Sequence, residues 1–144
     1  MPSERRRIAG VYYNRLRRRM PLQADPTVIY ALGKHVTRVL YRHLQIPSAY
    51  NTYRVSGLPP GPINNPGAAS IRAALDPEPH NLLFFVARPD GHHMFSRTPR
   101  QHADSVAVAR QLRAEWQARK DSVDAAARDS VKPPAATAPP GVRP

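Results

Sequence analysis

The chain has 144 residues, 17 of them proline, no cysteine, and a formal net charge of +12 carried almost wholly by arginine. That length fits one domain. The lack of cysteine excludes a disulfide framework and thiolate chemistry, and no apolar run is long enough for a membrane span or a signal h-region. The basic balance points to nucleic acid, acidic lipid or an anionic polymer as partner, and equally to the arginine-rich usage of a GC-biased coding sequence.

In chain order, Ser3 to Arg19 reads as a helix with Ser3 as N-cap and Glu4 in the first turn. Ile8, Val11, Tyr12 and Leu16 recur at helical spacing and define a buried face. Arg15 projects into the middle of that face, where a guanidinium must be paired, face a ligand or snorkel to the rim. Pro21 stops the helix. Asp25-Pro26 starts the next one, with Asp as N-cap and Pro at the first helical position; this cap accounts for Asp25 more simply than catalysis does. Val28, Ile29 and Leu32 form the buried side and Gly33 ends the helix. His35 to Tyr41 reads as a short strand or hairpin, and Arg42 to Ile46 as a helical turn.

Tyr50 to Gly67 is the stretch the chain is arranged around. Its prolines exclude helix and central strand, and Pro59-Pro60-Gly61-Pro62 holds it stiff. Tyr50, Asn51, Thr52 and Tyr53 place two phenols, an amide and a hydroxyl in four consecutive residues. A long, rigid, irregular loop inside a small domain is usually functional. Asn65-Pro66 then repeats the helix-starting device of Asp25-Pro26, and an alanine-rich helix runs through Ile71 to Leu75. Asp76-Pro77-Glu78-Pro79 breaks it. Leu82 to Ala87 is a continuous apolar run, expected as a central strand buried on both faces. Pro89-Asp90-Gly91 turns it back into His92 to Ser96, with His93 and Phe95 on one face. His92, His93 and His102 lack metal-site spacing with any carboxylate. Thr98 to Gln101 is a capping box that opens a long helix through Val108, Leu112 and Trp116. The pattern fades beyond Lys120, and the Pro/Ala-rich Lys132 to Pro144 is expected to be disordered. The fold expected is α+β: a single domain at 3–120 with a short mixed sheet and a buried hairpin (about 82–96) flanked by helices, then a fraying helix end and tail at 121–144.

Asn14-Arg15-Leu16, Leu22 through Tyr30, Tyr50-Asn51-Thr52-Tyr53, Gly57-Leu58-Pro59-Pro60-Gly61-Pro62-Ile63 and Asn65-Pro66-Gly67, in this order and spacing, resemble the endolytic murein transglycosylases (MltG, YceG-like). Phe85-Val86-Ala87, His93 and Phe95 extend the resemblance, which covers about Ser3 to Ser105. It implies a bacterial inner-membrane enzyme with its catalytic domain on the outer face. Such an enzyme cuts nascent peptidoglycan glycan strands between N-acetylmuramic acid and N-acetylglucosamine and leaves 1,6-anhydro ends. Glycan strands are the implied substrate and the cell-wall synthesis machinery the implied partner, with no cofactor and no metal.

That chemistry needs a protonated carboxyl to donate to the glycosidic oxygen; the sugar's own 6-hydroxyl attacks, so a second carboxylate is dispensable. Tyr50, Asn51, Thr52 and Tyr53 suit the positioning of a sugar ring and its N-acetyl group. Asn14, Gln23, Asn65 and His93 could add hydrogen bonds, Asp25 lies at a helix start beside them, and Arg15 could hold a lactyl or peptide carboxylate. In the family the catalytic glutamate lies just upstream of the segment matching Ser3-Glu4-Arg5. Here Met1-Pro2 stands there, so the chain reads as the C-terminal part of a catalytic domain, with Glu4 a weak stand-in for the acid. Leu82, Phe84 and Ala103 also depart from the family's residues. As written, the chain carries no anchor and is expected in the cytoplasm. Two other readings remain: a non-catalytic glycan-binding module using the same groove, and a basic nucleic-acid-binding protein. The second lacks aromatics interleaved with its arginine clusters.

Overall fold

The computed structural model describes residues 2–34 and 36–130. Four helices surround one antiparallel hairpin: α1 (Arg5–Arg17), α2 (Asp25–Leu32), α3 (Ala68–Leu75), β1 (Phe84–Ala87), β2 (His93–Ser96) and α4 (Pro99–Ser130), with 3-10 turns at Pro2–Glu4 and Tyr41–Gln45. This is the α+β class expected, but the sheet is the two-stranded hairpin alone among the described residues, not a mixed sheet. Its register pairs Phe84 with Ser96, Phe85 with Phe95, Val86 with Met94 and Ala87 with His93. An apolar run cannot distinguish a strand buried on both faces from a half-covered one, and β1 is half-covered. The hairpin packs against α1 on one side and across α4 on the other, while α3 packs against α1.

The fully buried aliphatics are few. Val11, Leu22, Val28, Ala73, Leu83 and Ala109 form the core, each Val or Leu contributing about 1.5–3 kcal/mol. Buried polar groups share the work. Asn14 is the clearest case: its Nδ2 donates to the carbonyls of His80 at 2.7 Å and Leu82 at 3.0 Å, and its Oδ1 accepts from Arg17 at 2.6 Å. Gly10 sits on the same helix because nothing larger fits. A Cβ there would lie 2.5 Å from the Glu78 carbonyl oxygen and 2.6 Å from His80 Nε2. Around this close approach, the Glu78 amide donates to the Arg6 carbonyl and His80 Nε2–H to that of Arg7. Ion pairs Arg6–Asp76 and Arg7–Glu78, each 2.8 Å, flank it.

Several helix starts differ from the expectation. Ser3 caps nothing: it lies inside the first 3-10 turn, and Glu4 occupies the cap position without a capping side-chain bond. Asp25 is the first residue of α2, and Ala24 is the cap. Ala24 has no side-chain acceptor, so the cap is assembled from afar. The Ala24 amide donates to Thr52 Oγ1 at 3.0 Å, the Thr52 and Thr27 hydroxyls meet at 2.8 Å, and Thr27 Oγ1 donates to the Ala24 carbonyl at 2.7 Å. Because Thr27 spends its proton on that carbonyl, Thr52 must donate to Thr27. Likewise α3 begins at Ala68 with Gly67 as cap, two residues past the Asn65-Pro66 device. Gly33 does end α2, with φ +63°.

No strand forms at 36–40, whereas the helical turn near Arg42 is present as the 3-10 turn Tyr41–Gln45. The capping box at Thr98 is shifted by one residue at its return bond: Gln101 N–H donates to Thr98 Oγ1, while the Gln101 side chain accepts from the Arg97 amide. α4 turns Ala109 inward and half-buries Leu112, while Val108 and Trp116 are exposed. The helix continues to Ser130; the tail expected to be disordered lies outside the described residues. Among the described residues, no helix is long and apolar enough to cross a membrane.

Candidate functional site

The polar loop that begins at Tyr50 is held by its own side chains. It lacks helix and sheet partners, so its backbone groups and those of its neighbours must be satisfied individually. Asn51, fully buried, donates from Nδ2 to the carbonyls of Leu44 at 3.0 Å and Ile46 at 2.9 Å, while its Oδ1 accepts from the Tyr53 amide at 3.1 Å. Thr52, 1% exposed, completes the α2 cap, and its carbonyl accepts from the Gln23 amide at 3.0 Å. That last bond fixes Gln23 in the left-handed region at φ +51°, uncommon for a residue with a Cβ. Tyr50 packs its ring on Tyr30, centroids 4.7 Å apart. Its hydroxyl comes so close to Gly61 that a Cβ there would lie 3.2 Å away. Asn51 and Thr52 therefore brace the loop, and Tyr50 fastens it to α2.

Tyr53 emerges from this bracing into a groove of about 580 Å³ walled by α1, the α1–α2 link, β1 and α4. Arg15, Gln23, Asp25 and Tyr53 meet there, joined by Tyr12, Phe84, His102 and Arg113. The Tyr53 hydroxyl donates to Asp25 Oδ1 at 2.5 Å. Burial, this bond and the Asp25 charge together hold the Tyr53 phenol well above its ordinary range. Burial likewise pushes the Tyr12 phenol up, against the pull of Arg15. Both rings therefore stay neutral and act as hydrogen-bonding, ring-stacking walls.

Arg15 is 6% exposed and heavily engaged. Its Nε donates to the Leu83 carbonyl at 2.6 Å, and Nη1 donates to Pro21 O at 2.9 Å, Leu22 O at 3.2 Å and Gln23 Oε1 at 3.0 Å. The guanidinium carbon lies 4.8 Å from the Phe84 ring centre. Burial lowers its affinity for the proton, and the neighbouring phenols counter that, but a guanidinium stays charged in proteins. Arg15 is thus a fixed cation that ties the α1–α2 link to the hairpin and carries Gln23 at the groove wall.

His102 stacks on Phe84 with centroids 5.2 Å apart, and its Nδ1 is buried without a partner. An orphaned acceptor is less costly than an orphaned N–H, which places the proton on Nε2. Burial and the Arg15 charge both disfavour a second proton. Sequence reading passed over His102 and Arg113 as groove residues. The signal that finds them is the spacing His102, Val106, Ala109, Arg113, one face of α4.

The remaining candidates lie elsewhere. Asn14 is internal, as described above. Asn65 is exposed and does not line the groove. His93 faces Glu4: His93 Nδ1 donates to Glu4 Oε2 at 2.9 Å, its amide to Oε1 at 3.3 Å, and His92 Nδ1 lies 3.4 Å from Oε1. Burial pulls the Glu4 carboxyl upward, but the His93 and His92 hydrogen bonds outweigh it and lower the carboxyl to about 2. Glu4 is an ionised tie between the start of α1 and the hairpin. Among the described residues, no three His, Asp or Glu side chains are placed to hold a metal ion.

A second groove, about 630 Å³ and largely apolar, runs along the neighbouring side of α1 between Ile8, Leu16, Leu58 and Ala73. It shares Tyr12, Leu22 and Ala24 with the first. Ile8, Tyr12 and Leu16, expected on the buried face of α1, are only partly buried because they line this groove, whereas Val11 is 1% exposed and turned into the core.

Comparison with known proteins agrees with the motif order. The profile of the YceG-like family matches residues 1–108. An endolytic murein transglycosylase of Bacillus subtilis is 52% identical over 100 residues, covering 69% of this chain and 28% of that protein. One from Streptococcus pneumoniae is 34% identical over 111 residues, covering 73% and 20%. The crystal structure of a YceG-like protein from Listeria monocytogenes superposes with TM-score 0.65 at 50% identity, covering 67% of this chain and 32% of that one. The chain thus spans about a third or less of the length of these relatives, and within that span it belongs to the YceG-like family.

Proposed function

We propose that the Tyr53–Asp25 groove binds a peptidoglycan glycan strand and forms part of the site of an endolytic lytic transglycosylase. The observation that carries this reading is the convergence of Arg15, Gln23, Asp25 and Tyr53 on one groove, within a chain 52% identical to an endolytic murein transglycosylase. The bond cut is the one between N-acetylmuramic acid and N-acetylglucosamine. A proton donor protonates the glycosidic oxygen, the C6 hydroxyl of the same muramyl unit attacks C1, and the hydroxyl proton leaves to a base. The products are a 1,6-anhydro end and a free 4-hydroxyl. With the Tyr53 proton held by Asp25 Oδ1, Tyr53 Oη and Asp25 Oδ2 supply acceptors for sugar hydroxyls, and the Tyr12 and Phe84 rings give apolar faces for the pyranose.

The proton donor needs a carboxyl whose pKa is raised by burial. Glu4 has the opposite environment, lowered to about 2 by its histidine partners. The donor in this reading is a glutamate upstream of Ser3 and outside this sequence. A helix carrying it would lie in the apolar groove against Ile8 and Leu16, at the border with the polar groove. The site would then work on the outer face of the bacterial inner membrane, where nascent strands and the synthesis machinery are. A second reading, glycan binding without cleavage, is favoured for the 144 residues alone by the Glu4 tie.

The test is incubation of this chain with uncrosslinked glycan strands, beside a version extended upstream through the glutamate, with anhydro ends read by mass spectrometry. The extended form is expected to cut and the short form to bind without cutting. Anhydro ends from the short form would place the acid within these residues. No product from either form would count against the transglycosylase reading.

A further inference from the structure

We propose that Arg113 makes the groove selective for a carboxylate-bearing saccharide, reading the anionic substituent of the strand. The inference rests on the groove being the saccharide site.

Three observations lead to it. Arg113 lines the groove yet is exposed, and no hydrogen bond or ion pair to it is seen among the described residues. Its side chain is therefore available to a ligand. Second, its position is set by the fold. His102, Val106, Ala109 and Arg113 share one face of α4, and Ala109 on that face is 2% exposed against the domain. The spacing places Arg113 on the packed side of the helix, at the solvent-open edge of the groove. Third, the charge in the groove is unbalanced. Arg15 and Arg113 face a single carboxylate, Asp25, which already accepts the Tyr53 hydroxyl.

The two arginines differ in what they can do. Arg15 is held in place through Nε and Nη1 by three backbone carbonyls and Gln23, so it cannot move to meet a ligand and contributes a fixed positive field. Arg113 is the cation that can move to meet a ligand, and guanidinium matches a carboxylate with two parallel hydrogen bonds. The carboxylate-holding role assigned from sequence to Arg15 thus passes to Arg113.

Two carboxylates on such a strand fit: the lactyl group of a peptide-free muramyl unit, and the termini of an attached peptide stem. The experiment separates them. Affinity of the 144-residue chain is measured by fluorescence polarisation at low ionic strength for labelled strands with stems, strands stripped of stems, and stripped strands whose lactyl carboxyls are capped as methylamides. Variants are Arg113→Ala, Arg113→Glu and, as a charge control on the same helix, Arg119→Glu. An exposed ion pair changes affinity by up to about fivefold, so Arg113→Ala is expected to weaken binding by about two- to fivefold. Arg113→Glu, which adds repulsion, should weaken it by about tenfold. The effect should appear on carboxylate strands and vanish on capped ones, while Arg119→Glu should not discriminate between them. Loss confined to stem-bearing strands identifies the stem carboxylate, and loss on stripped strands the lactyl group. Equal weakening on capped and uncapped strands, or none on either, overturns the role of Arg113. A parent chain that binds no strand at all refutes the groove reading first, before any variant is compared.

Discussion

Arg15→Met is the sharpest test of how the groove is held. The variant keeps an unbranched apolar stem and removes the donors to Leu83 O, Pro21 O and Leu22 O. A hydrogen bond to a charged group contributes about 1.5–3 kcal/mol net, so three would amount to about 4.5–9 kcal/mol. The cation's own burial costs several kcal/mol, which Met does not incur. The balance is a loss of about 3 kcal/mol, or about 10 °C in Tm for a domain of this size. Arg15→Lys keeps the charge, but one ammonium cannot span carbonyls on both the α1–α2 link and the hairpin, so it should recover only about 1 kcal/mol of that loss. Urea unfolding followed by circular dichroism measures both. A loss below about 1 kcal/mol for Met, or a Lys variant as stable as the parent, would refute the clasp.

Gly10→Ala sets a helix-propensity gain of about 1 kcal/mol against overpacking of about 1–3 kcal/mol; with the Glu78 carbonyl at 2.5 Å overpacking wins, and thermal unfolding should show a net loss of about 1 kcal/mol. Glu4 titrates near 2 when folded against 4.5 ordinarily, so its contribution to stability is complete above that ordinary value and fades as pH falls toward the folded one. Glu4→Gln should accordingly show a shallower loss of stability than the parent across that acid window, and parallel curves would show that the His93 bond carries no linkage. Tyr53→Phe removes the donor to Asp25 without touching the Asn51 and Thr52 bracing, so strand affinity should drop by about three- to tenfold while urea stability moves by less than 1 kcal/mol; unchanged affinity would remove Tyr53 from the site. Duplex DNA should bind weakly and be released by about 0.2 M salt, whereas salt-resistant, sequence-specific binding in a gel-shift assay would revive the nucleic-acid reading.

What could be read from the sequence was local. Helical spacing placed α1 and put Arg15 on its buried face; Gly33 marked the end of α2; Pro89-Asp90-Gly91 marked the hairpin; Thr98 marked the start of α4. What could not be read was set by contacts distant in sequence. Asp25 looks like a cap because Asp-Pro usually is one, but the cap is Ala24, served by a hydroxyl at Thr52. This frees Asp25 for Tyr53. Asn51 and Thr52 looked like ligand contacts because they are polar and sit in a loop. They are buried because that loop has no secondary-structure bonds and must be held by side chains instead. His102 was weighed only as a metal ligand and Arg113 not at all, because the apolar residues of α4 drew attention to Val108 and Trp116, while the one fully buried residue on its packed face, among the described residues, is the small Ala109.

The adjacency of the two grooves bears on how a lytic site of this kind could work. A general acid must be held protonated, and an apolar surround does that by disfavouring the anion. Sugar hydroxyls need the opposite, a wall of polar groups that can exchange hydrogen bonds with them. The fold keeps these environments apart yet touching: the apolar groove between α1 and α3, the polar one between the α1–α2 link, the hairpin and α4, with Tyr12, Leu22 and Ala24 common to both. In the proposed mechanism the proton crosses at that border, from a carboxyl seated on the apolar side to a glycosidic oxygen held on the polar side. Arg15 braces that border, since its bonds to Leu22 O and Leu83 O tie the α1–α2 link, which lines both grooves, to the start of the hairpin. A change at Arg15 would then shift the saccharide relative to the acid, and because a misplacement of 1 Å can cost about 10²-fold in rate, catalysis should suffer well before the domain unfolds.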